Sequence, residues 1–252
     1  MLSFGKLVTN EWLKLSKRRS FFIPYLVIAV FTIGIAYFIV KLGSGEDITS
    51  QAFVQMMLTK NGLGQLVAFL IIIGTAGVVS KEYSLGTIKL LLIRAQSRSK
   101  ILLSKYITVL LYAISLMVFT LLVSVVTGSI AFETGAQGTG WNEVIQSFLY
   151  TLAYAGIYAT ITFMIGVLTR STGITVGATM SMIMLESLIV FVLAKYSFTK
   201  YLIFANADLS QYAEGGSPLT GMTMTFSLIV IAVYIALFLI ASFVTFKKRD
   251  VA

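Results

Sequence analysis

Residues Ser80–Tyr106 read SKEYSLGTIKLLLIRAQSRSKILLSKY. The stretch carries six basic residues (Lys81, Lys89, Arg94, Arg98, Lys100 and Lys105) and one acid, Glu82. It lies between two long apolar runs, is too polar to sit in lipid, and is too apolar for a solvated loop. Ser84 is placed to cap a short helix, on which Leu85, Ile88, Leu91 and Leu92 share one face and which ends near Arg94. Ala95-Gln96-Ser97 breaks the pattern, and Ser97 or Ser99 can cap the next helix. Periodicity leaves two readings of such an element. Its apolar face can seat in a groove on a partner protein, with the cations pairing at the rim. Alternatively, it can be an interfacial loop held by anionic headgroups.

The flanks decide the setting. The chain has 252 residues, of which 58% are hydrophobic and only 12% charged, against about 25% charged in soluble domains. With a mean hydropathy of +0.92, lipid must be the solvent for much of the surface. The apolar runs predict six spans, at about 21–40, 61–80, 106–131, 144–169, 173–194 and 222–246. The expected fold is an all-α polytopic membrane protein, with residues 21–252 forming one transmembrane domain. Residues 1–20 read as an N-terminal interfacial amphipathic helix, in preference to a mere charged flank that orients span one: Phe4, Leu7, Val8, Trp12 and Leu15 share a face, and Lys6, Lys14 and Lys17 lie off it. Pro24 falls in the first turn of span one, where its missing N–H costs least. Residues 41–60 read as a polar, mixed connection. Arg170, Ser171 and Thr172 leave room only for a tight antiparallel hairpin. The 195–221 segment, with Phe198, Tyr201, Leu202, Ile203 and Phe204, predicts short half-inserted or surface-lying helices before span six.

Charge orients these spans. Fifteen basic residues fall in the N-terminal segment, the second and fourth connections and the C-terminus, against four (Lys41, Lys60, Lys195 and Lys200) in the other connections. The positive-inside rule places both termini and the 81–105 segment in the cytoplasm and the 195–221 segment outside. The net charge of +9 is then mostly topology, and nucleic-acid binding is set aside.

With no Cys and no His, thiol chemistry, disulfides, thiolate or imidazole metal sites and His-dependent hydrolase triads are excluded. No Walker A pattern occurs, so any ATPase would be a separate chain. Glu186, in span five, is the one ionisable residue clear of the span ends, and it lies about 20 Å from the cytoplasmic end at 1.5 Å per residue. It either lines a translocation path or meets a cationic substrate, or else is a protonated or hydrogen-bonded residue packing against another helix or the external segment. Gly173, Gly177 and Ser181 form a small-x-x-x-small stripe on the same span, read as packing within one subunit in preference to a subunit interface.

The order Glu82, Gly86-Thr87, Leu90-Leu91, Ser97-Arg98, Ile101-Leu102-Leu103, Lys105 resembles the cytoplasmic loop between spans two and three of ABC type-2 exporter permeases. In that family the loop reads roughly E…GT…LL…P-x-S-R…ILL…K. NEWLKLSKRRSFFI resembles the family's interfacial helix, E-x-x-K…R, and FKKRDV its common ending. The family often has Pro where Ala95 or Gln96 stands here. The resemblance implies a bacterial cell-membrane permease subunit that pairs with a second permease subunit, a homodimer or heterodimer, and with two ATPase subunits. ATP and Mg would be bound by the ATPase, and no cofactor by this chain. Segment 81–105 would be the coupling helix, with Glu82, Gly86, Thr87, Ile88, Leu91, Arg94 and Arg98 as its coupling residues. Members of this compact size are similar to peptide-antibiotic and drug efflux permeases. The rival reading is an ion-coupled secondary transporter or channel. An intramembrane enzyme lacks its usual catalytic pairs, and a membrane anchor remains open.

Overall fold

The computed structural model describes residues 4–42, 48–84, 97–133 and 139–248. Among these residues it is all helical, without strands. The helices are α1 (Phe4–Ser16), α2 (Ile23–Lys41), α3 (Ser50–Leu58), α4 (Gln65–Ser84), α5 (Arg98–Ala131), α6 (Trp141–Thr169), α7 (Thr172–Leu193), the single turn α8 (Ile203–Asn206) and α9 (Met224–Lys248). Six of them (α2, α4, α5, α6, α7 and α9) are long and apolar enough to cross a membrane. The chain is thus a multi-pass membrane protein.

The centre is α6, which packs against α3, α4, α5, α7 and α9. Its buried face alternates apolar Ile157, Ile161 and Phe163 with Tyr150, Tyr154, Tyr158, Thr151, Thr160 and Thr162. Most of these threonines return their hydroxyls to backbone carbonyls, as Thr160 does to Gly156 O at 2.7 Å and Thr162 to Tyr158 O at 2.6 Å. A polar core is therefore compatible with an apolar solvent, because these hydroxyls find acceptors within the protein, Thr151 at Leu58 O and Tyr154 and Tyr158 at Glu186. In contrast, α2, α7 and α9 expose rows of large apolar residues, such as Leu228, Ile229, Val233, Leu237, Ile240 and Val244 on α9. Where lipid is the solvent such rows need no further cover. Close approach of α4 to α5 depends on Gly74: a Cβ there would lie 2.3 Å from Tyr112 Cε1.

One end of the bundle gathers α1, the last turn of α4, the first turns of α5, the α6–α7 turn and the end of α9. We call this the basic end and its opposite the distal end. The α6–α7 turn is the tight hairpin expected, with Arg170 in the left-handed region (φ 56°). Pro24 sits in the first turn of α2, and Ser97 caps α5, its Oγ accepting from Lys100 N at 3.4 Å.

Three features differ from expectation. The third spanning helix begins at Arg98, not Tyr106, and the second runs on to Ser84. Both ends of the 81–105 segment are thus continuations of spanning helices. The fourth begins at Trp141 rather than Val144. Residues 41–60, expected as a polar connection, contain α3, whose Phe53, Val54, Met57 and Leu58 are fully buried. Thr49 caps it through Ala52 N at 3.2 Å, and Glu133 O accepts from Ser50 N at 3.0 Å, which fixes its start to the end of α5. It joins α4 through a wide turn, Lys60–Gly64, with a break in helical geometry at Gly62. A Cβ at Gly62 would meet Met56 O at 1.9 Å, so only glycine fits. α3 therefore folds back into the distal half of the bundle, shielded by protein, the setting in which interrupted helices are tolerated.

The segment before the last span is a chain of short helical turns, as expected: Ser197–Tyr201, α8 and Leu209–Gly215. Ile203, Ala205, Ala207 and Leu209 bury against α6, α7 and α9.

Candidate functional site

Of the expected coupling residues, Gly86, Thr87, Ile88, Leu91 and Arg94 lie outside the described residues, and the coupling helix with them. Glu82 falls in the last turn of α4, and Arg98 opens α5. What the structure describes is the pair of roots from which the segment leaves the bundle, and each root is tied to a neighbour. At the first root, Ser80 and Thr172 hydroxyls meet at 2.7 Å, joining the end of α4 to the start of α7. At the second, an Arg98 guanidinium N–H donates to Lys247 O at 3.3 Å, joining α5 to the end of α9. One and two turns further along α5, Ile101, Leu102 and Lys105 are buried.

Lys105 is the most confined cation here. It is 1% exposed, and its Nζ donates to Glu11 Oε2 at 2.6 Å. The other carboxylate oxygen of Glu11 accepts from Lys14 Nζ at 2.7 Å. The E-x-x-K pattern of α1 and the last lysine of the 81–105 segment, 94 positions apart, therefore close one ion triad. Burial pushes the Glu11 carboxyl up. The charges of and hydrogen bonds from Lys105 and Lys14 outweigh that, leaving it below the usual carboxylate range. Apolar contacts complete the seat: Leu15 buries in the core, and Trp12 stacks edge-on against Phe21 at 5.8 Å.

The second constellation sits in the distal half. Glu186, on α7, is 3% exposed and pairs with Lys60, at the α3–α4 turn. Tyr158 Oη donates to its second oxygen, and Tyr154 Oη reaches the same atom at 3.3 Å. Asp208, between α8 and the turn that follows, approaches Lys60 Nζ to 3.6 Å. The lysine also stands over the Tyr154 ring, 5.2 Å from its centroid. Glu186 is a hydrogen-bonded residue packed against another helix and close to the distal segment. The cation it meets belongs to this chain. Lys60, read as a connection residue, is the partner the sequence did not reveal.

Lys60 also lines two cavities. One, of about 330 Å³, is bounded by Glu186, Val190, Phe191, Phe204 and Leu219. The other, of about 660 Å³, is more polar and is bounded by Gln55, Asn61, Glu143, Gln146 and Tyr150.

The small-residue stripe does not pack within the chain as expected. Gly173, Gly177 and Ser181 are exposed, and added Cβ atoms at the two glycines would meet nothing of the described residues beyond their own helix within 4 Å. The inward face of α7 is instead Thr175, Thr179, Ile183 and Glu186.

A helical bundle with six candidate spans, an N-terminal helix clamped to its basic end and a buried charge network in its distal half is a polytopic membrane protein. The chain belongs to the family described as "Protein of unknown function (DUF2705)", whose model matches residues 20–252. It is similar to two proteins of Bacillus subtilis (strain 168). It is 36% identical over 204 residues to the "Uncharacterized protein YhcI", an alignment covering 74% of this chain and 65% of that protein, so the chain spans just under two thirds of that relative's length. It is 26% identical over 258 residues to the "Uncharacterized membrane protein YdbK", covering 95% of this chain and 99% of the relative.

Proposed function

We propose that this chain is the transmembrane permease subunit of an ATP-binding-cassette exporter of the bacterial cell membrane, with both termini and the basic end in the cytoplasm. A separate ATPase, two copies per complex, would bind ATP and Mg and seat the 81–105 segment. A second permease subunit would complete the assembly. The cargo class is an amphipathic molecule such as a drug or peptide antibiotic. The chain itself performs no chemistry in this reading.

The observation that carries the proposal is the way the two roots of that segment are wired. The sequence pattern Glu82…Gly86-Thr87…Ser97-Arg98…Lys105 resembles a coupling loop, and its roots contact helices on both sides. Ser80 ties the first root to α7, Arg98 ties the second to α9, and Lys105 ties it to α1. A push on the segment is therefore delivered to α4 and α5 directly and to three further helices through side chains. A loop that only bound headgroups would need none of these ties. Packed interfaces of this kind shift between discrete arrangements and do not deform continuously.

The competing reading, an ion-coupled transporter, draws on Lys60, Glu186 and Asp208, since charges inside a membrane domain commonly mark ion pathways. The two readings part on the energy source. Co-expression with a candidate ATP-binding-cassette ATPase from the same organism, followed by reconstitution into vesicles, is expected to give a stable complex whose efflux stops without ATP. Efflux by this chain alone, driven by an imposed proton or sodium gradient, contradicts the proposal.

A further inference from the structure

We infer that Lys60 is a built-in plug in a binding site for the cationic head of an amphipathic ligand. The inference rests on the transport reading, and it names the class of cargo. The ammonium of Lys60 occupies a nest made of the Glu186 carboxylate, the Asp208 carboxylate at 3.6 Å and the face of the Tyr154 ring at 5.2 Å. These are the groups that recognise an organic ammonium or guanidinium: opposite charge, hydrogen-bond acceptors and an aromatic quadrupole. Two carboxylates face one lysine, so the nest holds more negative than positive charge.

Two further observations turn the nest toward a ligand. Immediately beside Glu186 is a cavity of about 330 Å³ whose other walls include Val190, Phe191, Phe204, Pro218 and Leu219. A pocket with one buried carboxylate at its edge and mostly apolar walls, Ser187 and Gln211 being the polar ones apart from Lys60, fits a molecule with a charged head and an apolar body. Lys60 also has somewhere to go. It lines the adjoining cavity of about 660 Å³, where Glu143 and Gln146 stand in the wall. A lysine is a compact charge on a four-carbon flexible stem, so it can leave Glu186 for that second set of acceptors. An arriving cation would then take its place against Glu186 without leaving either charge unpaired in the bundle.

The chain has no cysteine, so a single Val190→Cys reporter serves to test the site. The purified protein in lipid nanodiscs is labelled with a maleimide in the presence of octylammonium or octanol, which share a body and differ in the head. Octylammonium is expected to slow labelling, and octanol is not. Glu186→Gln abolishes that protection. Lys60→Ala, by removing the plug, lowers the octylammonium concentration needed at least tenfold. A pair serving only to hold helices together would instead lose protection in both variants. Equal protection by octanol, or weaker protection after Lys60→Ala, overturns the inference. Should Lys60→Ala fail to fold, Asp208→Asn is expected to weaken protection several-fold, and unchanged protection in that variant overturns it equally. Neither ATP nor an ATPase enters the assay, so the site and the exporter reading fail separately.

Discussion

Replacing Lys105 with Ala should release α1 from the bundle, and the size of the effect follows from the triad. Lys105 is 1% exposed, and the Glu11 side chain that it pairs with is 11% exposed. Breaking a buried ion pair from one side costs about 3–5 kcal/mol, because the remaining charge is stranded. Here the stranded charge is Glu11, which keeps Lys14 at 2.7 Å on its other oxygen, and that pair, with Lys14 exposed, recovers up to about 1 kcal/mol. The net expectation is about 2–4 kcal/mol, a rise of at least roughly 30-fold in the undocked fraction of α1. Leu15 is the buried residue of α1, so the labelling rate of Leu15→Cys in nanodiscs reads that fraction. Removing both buried charges with Glu11→Gln and Lys105→Met should cost less than Lys105→Ala alone, since the charge left behind, Lys14, is exposed to solvent. A Lys105→Ala rate within threefold of the parent, or a double variant that opens more than the single, refutes the argument. The same reporter carries a pH signature. The Glu11 carboxyl is held below its ordinary value of 4.5 in the folded chain. Its contribution is therefore complete above that ordinary value and is lost as pH falls through the lowered one. Labelling, normalised to a free thiol at each pH, should rise only below about pH 4.5, and the rise should vanish in Glu11→Gln.

Three other outcomes are expected. Gly74→Ala should lower the unfolding midpoint, because its Cβ would lie 2.3 Å from the Tyr112 ring; a cost of about 1–3 kcal/mol, typical of overpacking, is read by denaturant titration in detergent. Gly177→Leu should leave the stability of the isolated chain unchanged, since among the described residues nothing beyond its own helix and chain neighbours lies within 4 Å of an added Cβ. If the second permease packs on that stripe, cross-linking of the assembled complex should fall several-fold in the same variant. Trp12 should sit at headgroup depth; with Trp141→Phe it is the remaining tryptophan, and lipids brominated near the glycerol should quench it more than lipids brominated at the chain end.

Much of the architecture was legible because hydropathy acts over whole helices. A run of about 20 apolar residues is needed to cross a bilayer, and each span met that need without help from the rest of the chain. Local chemistry was legible too: Pro24 in its first turn, the Ser97 cap and the hairpin at Arg170 depend only on near neighbours. α3 was not. SQAFVQMML is nine residues long with two glutamines, too short for a span and too mixed for a clear period. Its burial comes from α5 and α6, which are far away in sequence. Glu186 stood out as a lone acid in a span, yet its partner did not, because Lys60 lies 126 positions away beside a polar connection. Glu11 and Lys105 were each part of a recognisable pattern, but only folding brings the patterns into contact. The stripe on α7 shows the reverse case: small residues signal that close approach is possible, not which surface approaches.

The central claim is that a separate ATPase drives this chain through the 81–105 segment. It is tested most directly by measuring ATP hydrolysis in the reconstituted complex with Glu82→Ala and Arg98→Ala together. The complex is expected to lose permease-stimulated hydrolysis, or to fall apart, while the altered permease alone stays folded. Hydrolysis and complex formation that both persist at the parent level would contradict it.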